Sequence, residues 1–170
     1  MQPGVMVYDE LTGTGKVYQP AVMQRNTIRQ IAEDRLGNIW LGSHGLGVFK
    51  WIRTRAINNL EDGFVKYKAV PNTMIEKVNT DRKGYVWICT NGSGAYKIDP
   101  LTDSIVDHFS TDGPENRRLL ANGVADAFEY DDTTMIFVSG GLNILNTKTN
   151  TISHITSAEG LPSDIVMSMQ

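Results

Sequence analysis

Residues 28–49 read Ile28-Arg-Gln-Ile31-Ala-Glu-Asp34-Arg-Leu-Gly37-Asn-Ile39-Trp40-Leu-Gly42-Ser-His-Gly45-Leu-Gly47-Val-Phe49, and the same pattern occurs again further along the chain. The second copy reads Ile75-Glu-Lys-Val78-Asn-Thr-Asp81-Arg-Lys-Gly84-Tyr-Val86-Trp87-Ile-Cys-Thr-Asn-Gly92-Ser-Gly94-Ala-Tyr96. The Asp, the hairpin Gly, the Trp and the Gly pair all recur at a spacing of 47 residues, with no gap between them. A repeat of roughly 40–50 residues with short strands and a Trp in each unit is typical of β-propeller blades.

Composition limits the classes of protein that this sequence can encode. The 170 residues are 41% hydrophobic and 21% charged, as in globular proteins, and suffice for one domain with a core. The net charge of −3 gives no electrostatic reason to expect nucleic acid or an anionic membrane as a partner of this chain. Cys89 is the only cysteine, which excludes an internal disulfide and a multi-cysteine metal site. We therefore expect no cofactor and no metal, and Cys89 as a small buried residue of a strand.

The repeat divides the chain into one partial unit, three full units and the start of another. The predicted architecture is all-β, with about three four-stranded antiparallel blades and partial blades at both ends, which is an incomplete propeller. The predicted units are residues 1–20 (the end of a blade), 26–69, 74–110 and 122–156 (three blades), and 160–170 (the start of the next blade).

Several stretches depart from the regular repeat. Residues 52–62 read as an insertion, and residues 116–120 could form a single helical turn. In the third unit, residues 124–129 and 135–139 are the predicted first two strands, with Ile136 or Phe137 where Trp stands in the other units. Residues 165–169 are predicted to form the first strand of a fourth unit.

These motifs resemble the two-component regulator propeller repeat. That family has an Ile-x-x-Ile strand, Glu-Asp, two residues, Gly-Asn-Ile-Trp-Leu-Gly-Thr, a Gly-rich turn and a Tyr/Phe-Asp strand end. Residues 28–47 match nearly throughout, residues 75–99 match well, and Gly160-Leu-Pro-Ser163 is similar to the connector between blades. The third unit departs from the pattern because it lacks both the Trp and the hairpin Gly.

The resemblance implies a sensor. Such repeats form periplasmic propellers, usually of seven blades, in larger membrane-anchored sensor histidine kinases, and their ligands are often oligosaccharides. By this resemblance we expect a periplasmic, ligand-sensing portion of a two-component regulator that binds an oligosaccharide or a small metabolite. The sequence has no nucleotide-binding region and no recognisable catalytic motif, so we expect no catalysis by this chain. Residues 1–4 have no basic n-region, so we also expect no signal peptide in it.

The Trp and Asp residues that recur in the repeat have a structural interpretation. Trp40 and Trp87 could stack on a sugar, but mid-strand positions favour packing between blades. Asp34 and Asp81 supply one carboxylate per turn, which is too few ligands for calcium, so closing the hairpin is the better interpretation.

Candidate ligand-binding residues lie in turns and connectors that a propeller brings to one face. His44 and its counterpart Asn91 lie in the turns between the second and third strands, and the inter-blade connectors supply the others. Ordinary solvated loops are the alternative interpretation. The full set is Arg25, Asn26, His44, Asn72, Asn91, Arg117 and Arg118.

Two other functional classes remain open at this stage. A propeller lyase or hydrolase that acts on a polysaccharide or a cyclic substrate would need a metal or an acid–base pair on the rim, for which His44 and Arg117 are the only candidates. A protein-interaction platform would use the rim of the propeller. The unpaired strand edges of an incomplete ring also predict an open arc or a homo-oligomer.

Overall fold

The computed structural model describes residues 4–24, 26–55 and 60–167. Within these ranges there are fourteen β-strands and no α-helix. The strands are β1 (Val5–Asp9), β2 (Thr14–Tyr18), β3 (Ile28–Glu33), β4 (Ile39–Ser43), β5 (Val48–Trp51), β6 (Phe64–Tyr67), β7 (Ile75–Thr80), β8 (Val86–Thr90), β9 (Ala95–Asp99), β10 (Ser104–Phe109), β11 (Asp126–Asp131), β12 (Thr134–Val138), β13 (Leu142–Asn146) and β14 (Thr151–Ile155). The short 3-10 helices among these residues are Ala21–Met23, Arg53–Arg55, Leu60–Gly63, Glu115–Arg117 and Ser157–Glu159.

The strands form one two-stranded and three four-stranded antiparallel sheets, each in simple sequence order. We call β1–β2 the N-terminal hairpin, and β3–β6, β7–β10 and β11–β14 blades 1, 2 and 3. Up-and-down sheets of four strands, stacked side by side, are β-propeller blades. The predicted all-β, incomplete propeller is confirmed.

The hairpin between β3 and β4 shows why each blade starts as the repeat predicts. Asp34 Oδ1 accepts hydrogen bonds from the N–H groups of Leu36 and Asn38, each at 2.9 Å. Gly37 takes φ +76°, a left-handed conformation that a residue with Cβ adopts at a cost. Trp40 Nε1–H donates to Asp34 Oδ2 at 2.8 Å, so the same carboxylate also fixes the indole. The interpretation of Asp34 as a turn-closing residue is confirmed.

The core lies between the blades, where the tryptophans pack. Trp40 of blade 1 is buried in one cluster with Val78 and Ile88 of blade 2. Trp87 of blade 2 packs on Phe137 of blade 3, with 5.6 Å between ring centroids. The predicted role of both tryptophans as interblade core residues is confirmed, and neither indole is available to a ligand. Cys89 is also buried, and burial raises the pKa of its thiol above the usual value.

Blade 3 starts later than its sequence predicts. Its first strand is Asp126–Asp131 instead of residues 124–129, because Val124 N–H donates to Thr90 O of blade 2 at 2.9 Å. Val124 is therefore hydrogen-bonded to the neighbouring blade before its own sheet begins. Its second strand, Thr134–Val138, begins one residue earlier than predicted and places Ile136 opposite Phe128, as Trp87 lies opposite Asn79 in blade 2.

Three further predictions concern local structure outside the regular blades. Residues 165–167 are not in a strand, because no other strand pairs with them, and residues 168–169 of that predicted strand lie outside the described ranges. The helical turn predicted at residues 116–120 is a 3-10 helix at Glu115–Arg117. The predicted insertion, residues 52–62, contains parts of two 3-10 helices in its described portion.

Candidate functional site

The first strands of the three blades lie next to one another and form the inner edge of the arc. Asn79 Nδ2–H of β7 donates to Ala127 O of β11 at 3.0 Å, so adjacent first strands touch directly. Both β3 and β7 contain a β-bulge near their start, between Ile28 and Gln30 and between Ile75 and Lys77. A bulge turns a side chain away from the regular alternation, and bulges are frequent beside binding sites.

The two bulges direct charged side chains towards each other across the inner edge. Arg29 Nη2 lies 3.6 Å from Glu76 Oε2, and Asn91 Nδ2–H donates to Glu76 Oε1 at 3.1 Å. The next residue, Lys77, places its Nζ 3.1 Å from Asp126 Oδ1 on blade 3. One row of side chains of alternating charge therefore crosses all three blades.

These side chains border a cavity of about 460 Å³. We call it the inner-edge cleft and define it by Arg29, Glu76, Lys77, Asn91 and Asp126. Asp126 is almost fully buried, whereas the side chains of Arg29 and Lys77 are more than a third exposed. The cleft is thus open to solvent and anchored by one buried carboxylate. Met167 also contacts the cavity.

Three of the predicted ligand-binding residues, Asn26, His44 and Asn91, lie at the turns and connectors next to the inner edge. His44 N–H donates to Thr27 O at 2.9 Å and to Asn26 Oδ1 at 3.1 Å, so turn and connector meet. Asn91 N–H makes the equivalent bond to Met74 O at 2.9 Å. His44 and Asn91 are both exposed, and Asn91 is the one predicted residue that borders the inner-edge cleft.

The other predicted residues have different surroundings. Asn72 is exposed in the connector between blades 1 and 2. Arg117 is ion-paired with Asp107 of β10, the outermost strand of blade 2, and lies over Phe109. Arg118 is exposed, with its Nη2 3.8 Å from Glu115 Oε1. Arg25 lies outside the described residues.

The structure does not bring together the pair that the enzyme hypothesis requires. His44 lies at the rim of blade 1, whereas the guanidinium of Arg117 is held at the outer strand of blade 2. Among the described residues, no group of three or more His, Cys, Asp or Glu side chains is placed to bind a metal ion.

Sequence reasoning missed Arg29, Glu76, Lys77 and Asp126. All four occupy the two variable positions of the Ile-x-x-Ile strand, at equivalent places in the three units. In a regular strand, neighbouring side chains point to opposite faces, so only one of these two positions would face the inner edge. The bulge turns both of them towards it. The available signal was polarity: Arg-Gln, Glu-Lys and Ala-Asp fill these positions between apolar residues.

A second cavity, of about 400 Å³, lies at the junction of the N-terminal hairpin and blade 1. It is bordered by Gln19, Met23, Gln24 and Asn26, so it includes one of the predicted ligand-binding residues. The described residues that border it include no charged side chain. The inner-edge cleft is the stronger candidate for this reason.

Comparison with known proteins agrees with this architecture. Residues 23–45, which contain the hairpin and Trp40, match the family described as "Two component regulator propeller". The chain carries a two-component regulator propeller repeat. The connector and first two strands of blade 1 thus define the repeat, and blade 2 reproduces its Asp and Trp contacts at Asp81 and Trp87. A search of curated proteins gives no match.

Solved structures with the same fold include extracellular domains from B. thetaiotaomicron. The extracellular domain described for the hybrid two component system BT3049 has a TM-score of 0.69 at 19% identity, covering 84% of this chain and 20% of that one. The extracellular domain described for the one component system BT4673 has a TM-score of 0.70 at 15% identity, covering 96% and 24%. PorZ, a type-IX secretion component of Porphyromonas gingivalis, has a TM-score of 0.50 at 18% identity, covering 78% and 18%.

These likenesses establish the fold, and the chain spans about a fifth to a quarter of each relative's length. Two of the relatives are extracellular parts of signalling systems, whereas PorZ belongs to a secretion system. Within the described residues, no helix has the length and apolar character required to cross a bilayer.

Proposed function

We propose that this chain is the ligand-sensing propeller part of a two-component sensor, and that its inner-edge cleft binds an oligosaccharide or a small polar metabolite. The observation that supports this most is the convergence of polar side chains from all three blades on one cleft. The match to the two-component regulator family supports the sensor class. On this proposal the chain acts in the periplasm within a longer membrane-anchored protein, and it binds without catalysis.

The charges of the cleft favour a neutral or zwitterionic ligand. Arg29 and Lys77 contribute two positive charges, and Glu76 and Asp126 contribute two negative charges. A strongly anionic ligand would meet both carboxylates. A sugar hydroxyl both donates and accepts hydrogen bonds, so it can bridge one residue of each sign.

Hydrogen bonds, rather than stacking, would hold such a ligand. The described residues that border the cleft include no aromatic side chain. The ligand must therefore compete with the ion pairs that already join the blades. The pair of Arg29 and Glu76 is partly exposed and weak enough to be displaced, whereas Lys77 pairs with the buried Asp126.

The test is calorimetric titration of the chain with a panel of neutral oligosaccharides and small polar metabolites. For any ligand that binds, Glu76→Gln and Lys77→Met should each weaken binding roughly tenfold, about 1.4 kcal/mol. A panel without a binder, tested also on a longer protein that includes this chain, would overturn the proposal.

The matched control is Glu115→Gln. Glu115 is exposed and pairs at 3.8 Å with Arg118, away from the cleft. This variant should bind as the wild type does. Equal loss in Glu115→Gln and Glu76→Gln, or no loss in either cleft variant, would place the ligand elsewhere.

A further inference from the structure

The junctions between neighbouring blades are built from equivalent residues, but they differ at a charged position. In the junction of blades 1 and 2, Lys50 Nζ lies 2.5 Å from Asp103 Oδ1, which comes from the turn between β9 and β10. The side chain of Lys50 is 4% exposed, so this is a buried cation with its own carboxylate. Tyr67 Oη–H donates to Asp103 O at 2.8 Å and closes the same junction.

The junction of blades 2 and 3 has the equivalent lysine without the carboxylate. Lys97 follows Lys50 by the repeat spacing, and Asn150 follows Asp103 by the same spacing. Asp103 and Asn150 share a φ of +56°, so the two turns have the same backbone at this point. Among the described residues, no carboxylate lies within ion-pairing distance of Lys97. Its ammonium lies 4.1 Å from the ring centroid of Tyr85 and 5.2 Å from that of Trp87.

Two other substitutions make room at the same place. Phe109 stands where blade 1 has Tyr67, so the hydroxyl that closes the first junction is missing. Thr147 stands where blade 2 has the buried Pro100, and its Oγ1 is buried with no hydrogen-bond partner. The result is a cavity of about 140 Å³ bordered by Lys97, Thr147 and Asn150.

The two carboxylates nearest this cavity are already bound by other groups. Asp107 also borders the cavity, but its carboxylate is engaged by Arg117 and by the N–H of His108. Asp81 is engaged by Trp87 Nε1–H and by Tyr85 N–H, both at 2.9 Å. Burial lowers the pKa of Lys97, and the carboxylates of Asp81 and Asp107, which lie beyond ion-pairing distance, raise this pKa by less.

We propose that this cavity binds a small monovalent anion, such as chloride or formate, between the Lys97 ammonium and the Thr147 hydroxyl. The anion occupies the role that the Asp103 carboxylate has in the first junction. The volume suits it, since one water fills about 30 Å³ and the cavity can hold a small anion with part of its hydration. Thr147 Oγ1–H gains an acceptor, which removes the cost of a buried unpaired hydroxyl.

The test compares thermal unfolding of the full chain in sodium chloride, sodium formate and sodium gluconate at equal ionic strength. Gluconate is too large for the cavity. The melting temperature should be a few degrees higher in chloride and formate than in gluconate, because a ligand of the folded state stabilises it. Equal melting temperatures in the three salts would mean that the cavity holds water only, and would overturn the proposal.

One variant identifies the site. Asn150→Asp supplies the carboxylate from the chain, so it should raise the melting temperature in gluconate and abolish the difference between salts. An unchanged difference in Asn150→Asp would overturn the proposal.

Lysine variants provide the matched control. Lys97→Met should lose the dependence on the anion, whereas Lys148→Met, at an exposed lysine of the same turn, should keep it. Should Lys97→Met fail to fold, the Asn150→Asp result decides, because that variant retains every cation of the cavity.

Discussion

Trp40 donates its indole N–H to the carboxylate of Asp34, six residues earlier, at 2.8 Å, and both residues are buried in blade 1. Lys50 Nζ lies 3.9 Å from the same carboxylate. Asp34 thus connects the hairpin, the interblade core and the charged junction. Trp87 and Asp81 repeat the indole bond in blade 2, at 2.9 Å.

Asp34→Ala should be strongly destabilising. The substitution leaves the buried indole N–H and the turn N–H groups without their acceptor, and we expect a loss of about 2–4 kcal/mol of unfolding free energy. Denaturant unfolding measures it. Asp132→Ala is the control, since Asp132 is an exposed aspartate of the hairpin in blade 3, and it should change stability by less than about 0.5 kcal/mol. Equal effects of the two substitutions would show that the Asp34 network contributes little.

Gly47→Ala and Gly45→Ala should differ sharply although they belong to one Gly-x-Gly turn. Gly47 has φ +70°, and a Cβ there would lie 2.6 Å from Pro71 O, so alanine brings both backbone strain and a clash. A Cβ at Gly45 would meet no atom within 4 Å. We expect Gly47→Ala to lower the melting temperature by many degrees or prevent folding, and Gly45→Ala to melt close to the wild type. Similar melting of the two variants would contradict this account of the turn.

Tyr67→Phe should make stability less sensitive to alkaline pH. Burial, with the nearby Asp103 carboxylate, raises the pKa of Tyr67 from 10.0 to about 12. Between pH 10 and 12 the unfolded chain releases this proton while the folded chain keeps it, so the wild type loses stability as the pH rises. The variant lacks this contribution, although it melts lower at neutral pH because the bond to Asp103 O is gone.

Melting curves from neutral pH to pH 12 check this expectation. Burial lowers the pKa values of Lys66 and Lys97, which changes stability in the opposite direction, but these lysines are present in both proteins. Tyr130→Phe is the control, because Tyr130 is 65% exposed. A Tyr67→Phe variant that loses as much stability as the control variant would contradict the prediction.

The isolated chain should self-associate head to tail at high concentration. Phe128 and Tyr130 are exposed on the face of blade 3 that points away from blade 2, and Met6, Tyr8 and Val17 are exposed on the outer face of the N-terminal hairpin. We propose that the exposed face of blade 3 in one copy covers the exposed face of the N-terminal hairpin in another, as successive blades cover each other within the chain.

Light scattering tests this association. The average molecular mass should rise with protein concentration, and Phe128→Lys should reduce that rise. Lys substitution of Leu101, an exposed turn residue, is the control. A monomer at all concentrations would exclude this association.

Most of the fold could be predicted from the sequence because the repeated residues are the ones that form the hairpin turns. An Asp with a Gly three residues later forms the first hairpin of blades 1 and 2, and the spacing from Asp34 to Trp40 identifies the strand that follows. The late start of blade 3 was not predictable in the same way. Its cause is the hydrogen bond from Val124 N–H to Thr90 O of blade 2, which forms only when the two blades are packed together.

The candidate site was less predictable than the fold. Asn91 was predicted because polar residues in equivalent turns meet at one rim, and it borders the inner-edge cleft. Glu76 and Lys77 were missed because a bulge, which sequence alternation does not reveal, turns them to the inner edge. Arg117 was assigned to the ligand-binding set from its connector, yet its charge is engaged by Asp107 at the outer strand.

Glu76 and Lys77 are consecutive residues of one strand, but they pair with opposite neighbours: Glu76 with blade 1 and Lys77 with blade 3. The middle blade therefore contributes one partner to each ion pair along the inner edge. A displacement of β7 towards one neighbour would shorten one ion pair and lengthen the other, so neither pair can tighten through movement of β7 without weakening its counterpart.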